Sequence, residues 1–388
     1  MKIVGLETIR VAEHANLIWV RVHTDDGIAG LGETFFGARA VEAFIHETAA
    51  PLLLGRNPLE IDKISRDLAG YLGFVGTGAE MRGRSAIDIA LWDIKGKLYN
   101  VPVWELLGGK MRDTARVYGH VKGRTRAALV AEAIRLKSEG FTALGHLNPL
   151  LDEDETTPYF KSHAQKIEDA AETVRQLREA VGPEVDLCIE IHRRMTPPEA
   201  VALARAIEQY KPMFFEDPLR PNDPDAMAWV ADHIHIPVAT GERFISLFQF
   251  QTLLNRRAVA YLRPDVCLCG GITGAKKIAA MAEANDCMIV PHNPLSLVST
   301  AACLQIAACI PNFAIQEYPT QTPDLHGTSN ILGTGIVTPL AGPVSGFMPI
   351  PNGPGIGVEL MPNAQELFPE RPRPIRMRPH HDGSVVDM

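Results

Sequence analysis

Glutamates 190, 216 and 242 recur at a step of 26 residues, in Glu190-Ile191-His192, Phe215-Glu216-Asp217-Pro218 and Thr240-Gly241-Glu242-Arg243. Each follows apolar residues, among them Leu187, Ile189, Phe214 and Val238, and each precedes a helical stretch. This pattern puts every glutamate at the C-terminal end of a strand in a repeating βα unit, and a unit of about 25 residues fits a barrel. In a (β/α)8 barrel those strand ends converge on one mouth, where three carboxylates form the hard oxygen donor set that Mg2+ requires. A single glutamate at a strand end is as often solvated or paired with a helix N-terminus. Three in register, with His192 beside the first, point instead to a metal-dependent enzyme.

Proton-transfer groups fall at the same end of the predicted barrel. Glu190 and His192 are two residues apart, so a continuing strand would aim both into the mouth. His292, in Val290-Pro291-His292-Asn293-Pro294, follows the seventh predicted strand, and Asp265, in Arg263-Pro264-Asp265-Val266, lies at the end of the sixth. An aspartate bonded to one ring nitrogen orients a histidine and raises its basicity, which makes a dyad suited to proton abstraction. Glu317, in Gln316-Glu317-Tyr318 after the eighth strand, completes the ring as a hydrogen-bonding acid or orienter. His233, His235, His380 and His381 have no such neighbours and read as structural.

The elements that must position these groups alternate along the chain. Strands are expected at 116–118, 142–144, 187–191, 213–215, 238–240, 261–266, 288–290 and 313–315, with helices between most of them, as at 128–138 and 198–209. Before them, Leu17 to Val22, the turn Asp25-Asp26-Gly27 and the run to Glu33 read as a hairpin. Helical periodicity follows at 40–54 and 64–72, and again from Ser85, placed as an N-cap, to Lys97. Residues 148–165, with Asp152-Glu153-Asp154-Glu155, read as a solvated acidic loop. The Gly- and Pro-rich stretch 342–357 is expected to return to the first unit. The division is therefore a first unit at 1–112, a barrel at 113–340 and a returning segment at 341–388.

With 388 residues, 46% hydrophobic, the chain can bury a large core without staples. A net charge of −8 argues against nucleic-acid and anionic-membrane surfaces. No run of 18 or more apolar residues and no leader-like segment is evident, which gives the expectation of a soluble cytoplasmic protein. The six cysteines sit in apolar runs without a Cys-x-x-Cys pair. Cys267 and Cys269 are expected as buried thiols on one face of a strand.

The order of these motifs resembles the mandelate racemase subgroup of the enolase superfamily, most closely its sugar-acid dehydratases, over nearly the whole chain. The stretches that carry the resemblance are Leu91-Trp92-Asp93-Ile94-Lys95-Gly96-Lys97, the three glutamate segments, Gly270-Gly271-Ile272-Thr273, Val290-Pro291-His292-Asn293-Pro294, Gln316-Glu317 and Gly353-Pro354-Gly355-Ile356-Gly357-Val358-Glu359. The resemblance implies an α/β fold, a (β/α)7β TIM-like barrel with an N-terminal α+β capping domain, and one Mg2+ on Glu190, Glu216 and Glu242. It implies His292, oriented by Asp265, as the base that removes the proton α to a carboxylate, and His192 as the acid that protonates a departing 3-hydroxyl. The product would be a 2-keto-3-deoxy acid.

Members of the group usually place aspartate where this chain has Glu190. Racemases and cycloisomerases of the group usually carry Lys-x-Lys where it reads Gly145-His146-Leu147-Asn148. Without those lysines, dehydration is favoured over two-base racemisation, with His146 left as a base in principle or, with Asn148, as a substrate contact. Tyr71 and Phe74, in one of the two cap loops at 33–37 and 71–75, are further candidate substrate contacts. A racemase, epimerase or lactone cycloisomerase, and a non-catalytic sugar-acid-binding protein, stay open as alternatives. The partner is a small-molecule sugar acid, and a homo-oligomer is expected.

Overall fold

The computed structural model describes residues 1–388 except 12, 13, 15, 72, 74, 75, 77, 152–159, 321–331, 372–378 and 386–388. The N-terminal unit begins with an antiparallel sheet, β1 (Ile3–Ile9), β2 (Leu17–Thr24) and β3 (Ala29–Phe35), in sequence order. Gly27, at φ 80°, closes the expected hairpin turn. The region expected to be helical at 40–54 is α1 (Ala38–Ala43), a π-helical turn at Phe44–Ala49 and α2 (Ala50–Leu53). Then come α3 (Ile61–Tyr71), α4 (Gly78–Tyr99) and α5 (Val103–Leu106).

α4 starts seven residues before Ser85, so Ser85 is not its N-cap. Its hydroxyl instead donates to the Met81 carbonyl (2.7 Å) and accepts from the Gly270 amide (3.0 Å). The helix lies against β3, where a Cβ on Gly30 or Gly32 would collide with the carbonyl oxygens of Ala90 and Ala86. Only glycine lets the two backbones approach that closely.

The second unit alternates β4 (Thr114–His120), α6 (Arg126–Ser138), β5 (Ala143–Leu147), α7 (His163–Val181), β6 (Asp186–Glu190), α8 (Pro197–Ile207), β7 (Phe214–Glu216), α9 (Pro224–His233), β8 (Val238–Thr240), α10 (Leu247–Asn255), β9 (Tyr261–Leu262), α11 (Gly271–Glu283), β10 (Met288–Ile289), α12 (Leu297–Cys309) and β11 (Gln316–Tyr318). These strands pair in parallel in sequence order, β11 pairs β4, and a bridge from Ile289 to Phe313 joins the open edges. The result is the (β/α)7β barrel, capped by the N-terminal unit. β12 (Phe347–Pro349) adds antiparallel to β4, and α13 (Ala364–Leu367) follows. No helix among the described residues is long and apolar enough to cross a membrane.

Two expected strands shift. The sixth strand stops at Leu262, because Asp265 accepts the Cys267 and Cys269 amides through its side chain and carbonyl, and these bonds turn the chain toward α11. Cys267 and Cys269 are therefore buried in that turn and not on a strand. The eighth strand lies three residues later than expected, which puts Glu317 inside it. The acidic run 152–155 lies outside the described residues.

Inward side chains stack in layers of period two. An apolar layer contains Tyr118, Cys188, Phe214, Ala239 and Ile315. Two residues further on along three of these strands come Glu190, Glu216 and Glu317, so the barrel floor directly supports the carboxylates.

The cap is fastened to the barrel by buried acids. Glu33 accepts from Trp19 Nε1 (3.0 Å), the Ser296 amide (3.1 Å) and the Ser296 hydroxyl. Asp88 on α4 accepts the Thr273 amide (3.0 Å), and Asp93 accepts the Leu31 (2.9 Å) and Ile356 (2.8 Å) amides. The last of these bonds ties the Gly-rich segment around Ile356 to α4.

Burial pushes the Glu33 carboxyl up to about 7, against the opposing pull of its Ser296 and Trp19 bonds. A carboxyl raised in the folded state stabilises it fully below the unfolded value and loses that contribution as pH rises through the folded one. Glu33 alone should cost the parent about 3 kcal/mol between pH 4.5 and 8, a window set by its shift. Glu33→Gln keeps the shape without the titration, so its urea midpoint should fall less than the parent's from pH 5 to 8. Parallel curves for the two proteins would remove Glu33 from the account.

Candidate active site

Glu190 and Glu216 end adjacent strands and pair in register, and Glu242 follows β8 after Gly241, whose φ of 130° turns the chain inward. Their carboxylates converge, with one oxygen from each within 4.8 Å of the others, and all three residues are buried. Burial raises the Glu216 carboxyl far above its usual range, and the charges of Glu190, Glu317 and Glu242 push the same way. Arg263 Nε lies 2.5 Å from Glu216 Oε1, yet among the described residues neither Glu216 oxygen has an aligned hydrogen bond. Such a buried, repelling set of oxygens calls for a cation, and the donors suit a hard divalent one. The extra methylene of Glu190, relative to the aspartate usual in the resemblance, does not keep it out of the cluster.

His292 and Asp265 meet as expected, with Nδ1 2.7 Å from Asp265 Oδ2. The other ring nitrogen, Nε2, faces the cluster at 3.4 Å from Glu242 Oε2. Burial disfavours the charged imidazole, but the carboxylates of Glu242, Glu317 and Asp265 together raise its pKa above the ordinary value. His192 also reaches the mouth, with Nε2 3.9 Å from Glu190 Oε1, though not by strand alternation. β6 ends at Glu190, and His192 (φ 58°) and Arg193 (φ 67°) sit in a left-handed turn tied to the next strand by Arg193 N to Asp217 O at 2.7 Å. Burial lowers the His192 pKa to about 4, with Glu190 opposing the shift.

Glu317 accepts from Arg263 Nη2 (2.6 Å), His120 Nε2 (2.8 Å) and the Asn293 amide (2.9 Å). Burial opposes its ionisation, but Arg263 and His292 outweigh it and hold the carboxyl well below its usual range. His146 sits at φ 47° near the end of β5, places Nδ1 2.8 Å from Glu190 Oε2 and stacks on His120 at 4.6 Å. Asn148 is buried, and its side-chain oxygen accepts the Leu150 amide at 2.9 Å. Tyr71 ends α3 and is 68% exposed. Phe74 lies outside the described residues.

Sequence reasoning missed a basic shell around the carboxylates. Arg263 bridges Glu216, Glu317 and the Tyr118 hydroxyl (2.8 Å), and Arg193 joins Asp217 (2.9 Å) and Glu242 (2.5 Å). Arg263 stands two residues before Asp265, and Arg193 directly after His192. A charged residue beside each predicted catalytic group was a usable signal. His120 was missed because the first barrel strand was ended at Tyr118, two residues short of its actual end.

Comparison with known proteins places this geometry. Residues 128–364 match the family model described as enolase C-terminal domain-like, and residues 7–108 match the mandelate racemase / muconate lactonizing enzyme N-terminal domain. A curated protein from Ralstonia nicotianae named D-galactonate dehydratase is 36% identical over 396 residues, covering 100% of each chain. Another of that name, from Cronobacter sakazakii, is 36% identical over 82% of this chain and 81% of its own. Among solved structures, a mandelate racemase subgroup enolase from Agrobacterium tumefaciens is 38% identical with a TM-score of 0.84, covering 95% of this chain and 97% of that one. An enolase from Agrobacterium radiobacter with sodium and L-malate bound is 29% identical with a TM-score of 0.90, covering 100% of both. The chain belongs to the enolase superfamily, in its mandelate racemase subgroup.

Proposed function

We propose that this protein is a Mg2+-dependent sugar-acid dehydratase that removes the proton α to the carboxylate of an aldonate or aldarate and eliminates the 3-hydroxyl. The observation that carries the reading is the His292–Asp265 pair, with its free nitrogen facing three converged buried carboxylates. The reaction class agrees with the name D-galactonate dehydratase carried by two relatives. When bound by Glu190, Glu216 and Glu242, the cation supplies positive charge against the substrate carboxylate and lowers the cost of charge that builds there.

The residues of the chain supply the proton transfers. His292 Nε2 takes the α-proton, and Asp265 at Nδ1 holds the ring in the accepting tautomer and stabilises the imidazolium. His192, at the same mouth, delivers a proton to the 3-hydroxyl as its C–O bond breaks, so water leaves and an enol remains. The enol tautomerises to a 2-keto-3-deoxy acid. Glu317, already accepting from Arg263, His120 and Asn293, serves as an ionised orienter and not as an acid. A two-base racemase would need a second base at the end of β5, and His146 there is engaged with Glu190.

Turnover of a panel of aldonic and aldaric acids, read as 2-keto acid formation, tests the reading, and inversion at carbon 2 without water loss would sink it. Glu216→Gln should lose Mg2+ binding by titration calorimetry along with activity. Parent-like Mg2+ affinity in that variant would put the metal elsewhere. His292→Asn should lose both dehydration and α-proton exchange with deuterated solvent, by about 100- to 10,000-fold. His192→Asn should keep exchange while dehydration falls by a similar factor. Dehydration at the parent rate by metal-loaded His192→Asn, or exchange by metal-loaded His292→Asn, would reverse the two assignments.

A further inference from the structure

Arg82, in the first turns of α4, is a buried cation of the cap that forms no ion pair with a carboxylate among the described residues. The residue is 9% exposed, and its Nη1 is buried with no hydrogen-bond partner among the described residues. Arg10 and Arg84 in the cap also bury donors without a hydrogen bond, but each has a polar partner elsewhere on its guanidinium: Arg10 pairs with Glu370 at 2.8 Å, and Arg84 donates to the Ser65 carbonyl at 3.1 Å. The Arg82 guanidinium instead lies 4.5 Å above the Phe35 ring and 5.3 Å from that of Phe36, at the end of β3. Phe35 in turn sits 6.4 Å from the His292 ring. Arg243, next to Glu242 on the barrel side, approaches the same Phe36 ring at 5.2 Å. Two guanidinium groups, one from the cap and one from the barrel, thus share one aromatic residue at the roof of the site.

Burial destabilises the charged form of Arg82, Asp265 partly offsets this, and the like charge of Arg243 adds to the cost. Cation–π contact offsets only part of the desolvation of a guanidinium, and a donor left unpaired in a buried site marks a missing acceptor. Arg243 has an ion pair, with Nε 3.3 Å from Glu242 Oε1, so a neutral hydroxyl at this place could take one hydrogen bond but would leave the Arg82 charge without one. An anion satisfies both the donor and the charge.

Resting on the proposed dehydratase reading, we infer that Arg82, with Arg243, forms a subsite for a second negative charge at the far end of the substrate, so that dicarboxylic aldarates are preferred to aldonates. The first carboxylate belongs at the glutamate cluster beside His292, and the second at the two guanidinium groups on the Phe35–Phe36 pair that borders that base. A sugar diacid, with a carboxylate at each end of its carbon chain, supplies one charge to each place. Arg82 is a specificity residue in this scheme and handles no proton.

The test uses the full-length Mg2+-loaded protein carrying His292→Asn, so that binding is read without turnover, and compares galactarate with galactonate by titration calorimetry. Adding Arg82→Met should reduce the galactarate-to-galactonate affinity ratio at least tenfold. Arg82→Lys, which keeps a cation but not the fork, should reduce it by less, and it carries the test alone if the Met variant does not fold. Equal losses for both acids would show that Arg82 touches their common part. Unchanged affinities would show that it only packs on Phe35 and Phe36. Either result overturns the subsite. Formation of 2-keto acid by the parent is scored separately: its absence sinks the dehydratase reading while the affinity ratio still reports on Arg82.

Discussion

Three buried carboxylates held within a few ångströms repel one another, and the rest of the barrel mouth is arranged around that repulsion. Coulomb energy at this spacing in a poorly solvated interior is large enough to unfold a site that leaves it unbalanced. Arg263 and Arg193 reach in from the segments that follow β9 and β6 and take part of the charge, while one oxygen of each carboxylate stays within 4.8 Å of the others. The same carboxylates act on their neighbours. Glu242, together with Glu317 and Asp265, raises the pKa of His292 against the effect of burial, so one member of the cluster also tunes the adjoining imidazole.

Holding such a cluster demands a rigid floor, and the period of the strands provides it. Because Cys188 precedes Glu190, Phe214 precedes Glu216 and Ile315 precedes Glu317 by one pleat, each acid stands on a close-packed apolar layer. Beyond the strand ends the pleat no longer applies. Left-handed residues at His192, Arg193 and Asp217, and at His146 within the irregular end of β5, aim the side chains there, which separates the supporting period from the segments that face the carboxylates.

Which parts of this were legible in the sequence follows from that separation. The glutamates were readable because they lie on the strand repeat or just past it, and a step of 26 residues survives any uncertainty of boundary. The pairing of His292 with Asp265 was readable from strand order alone. His192 was placed at the right site by reasoning from the wrong geometry, since a turn and not a strand brings it there. Arg263 and His120 were quoted or bypassed without a role, because their partners lie 54 and 197 residues away in sequence and only barrel closure brings them together. Ser85 was misread for a related reason. A serine inside a helix resembles a cap until the Gly270 amide it accepts is known.

The glycines of β3 have an effect beyond packing. By letting α4 settle directly on the sheet, Gly30 and Gly32 make Phe35 and Arg82 parts of one stiff slab, and Asp88 and Asp93 on the same helix anchor that slab to the barrel and the returning segment. The roof over the site therefore cannot drift independently of the seam. A change in the register of this slab would move Phe35 and Arg82 together relative to the barrel mouth, while the glutamates at the strand ends keep their places.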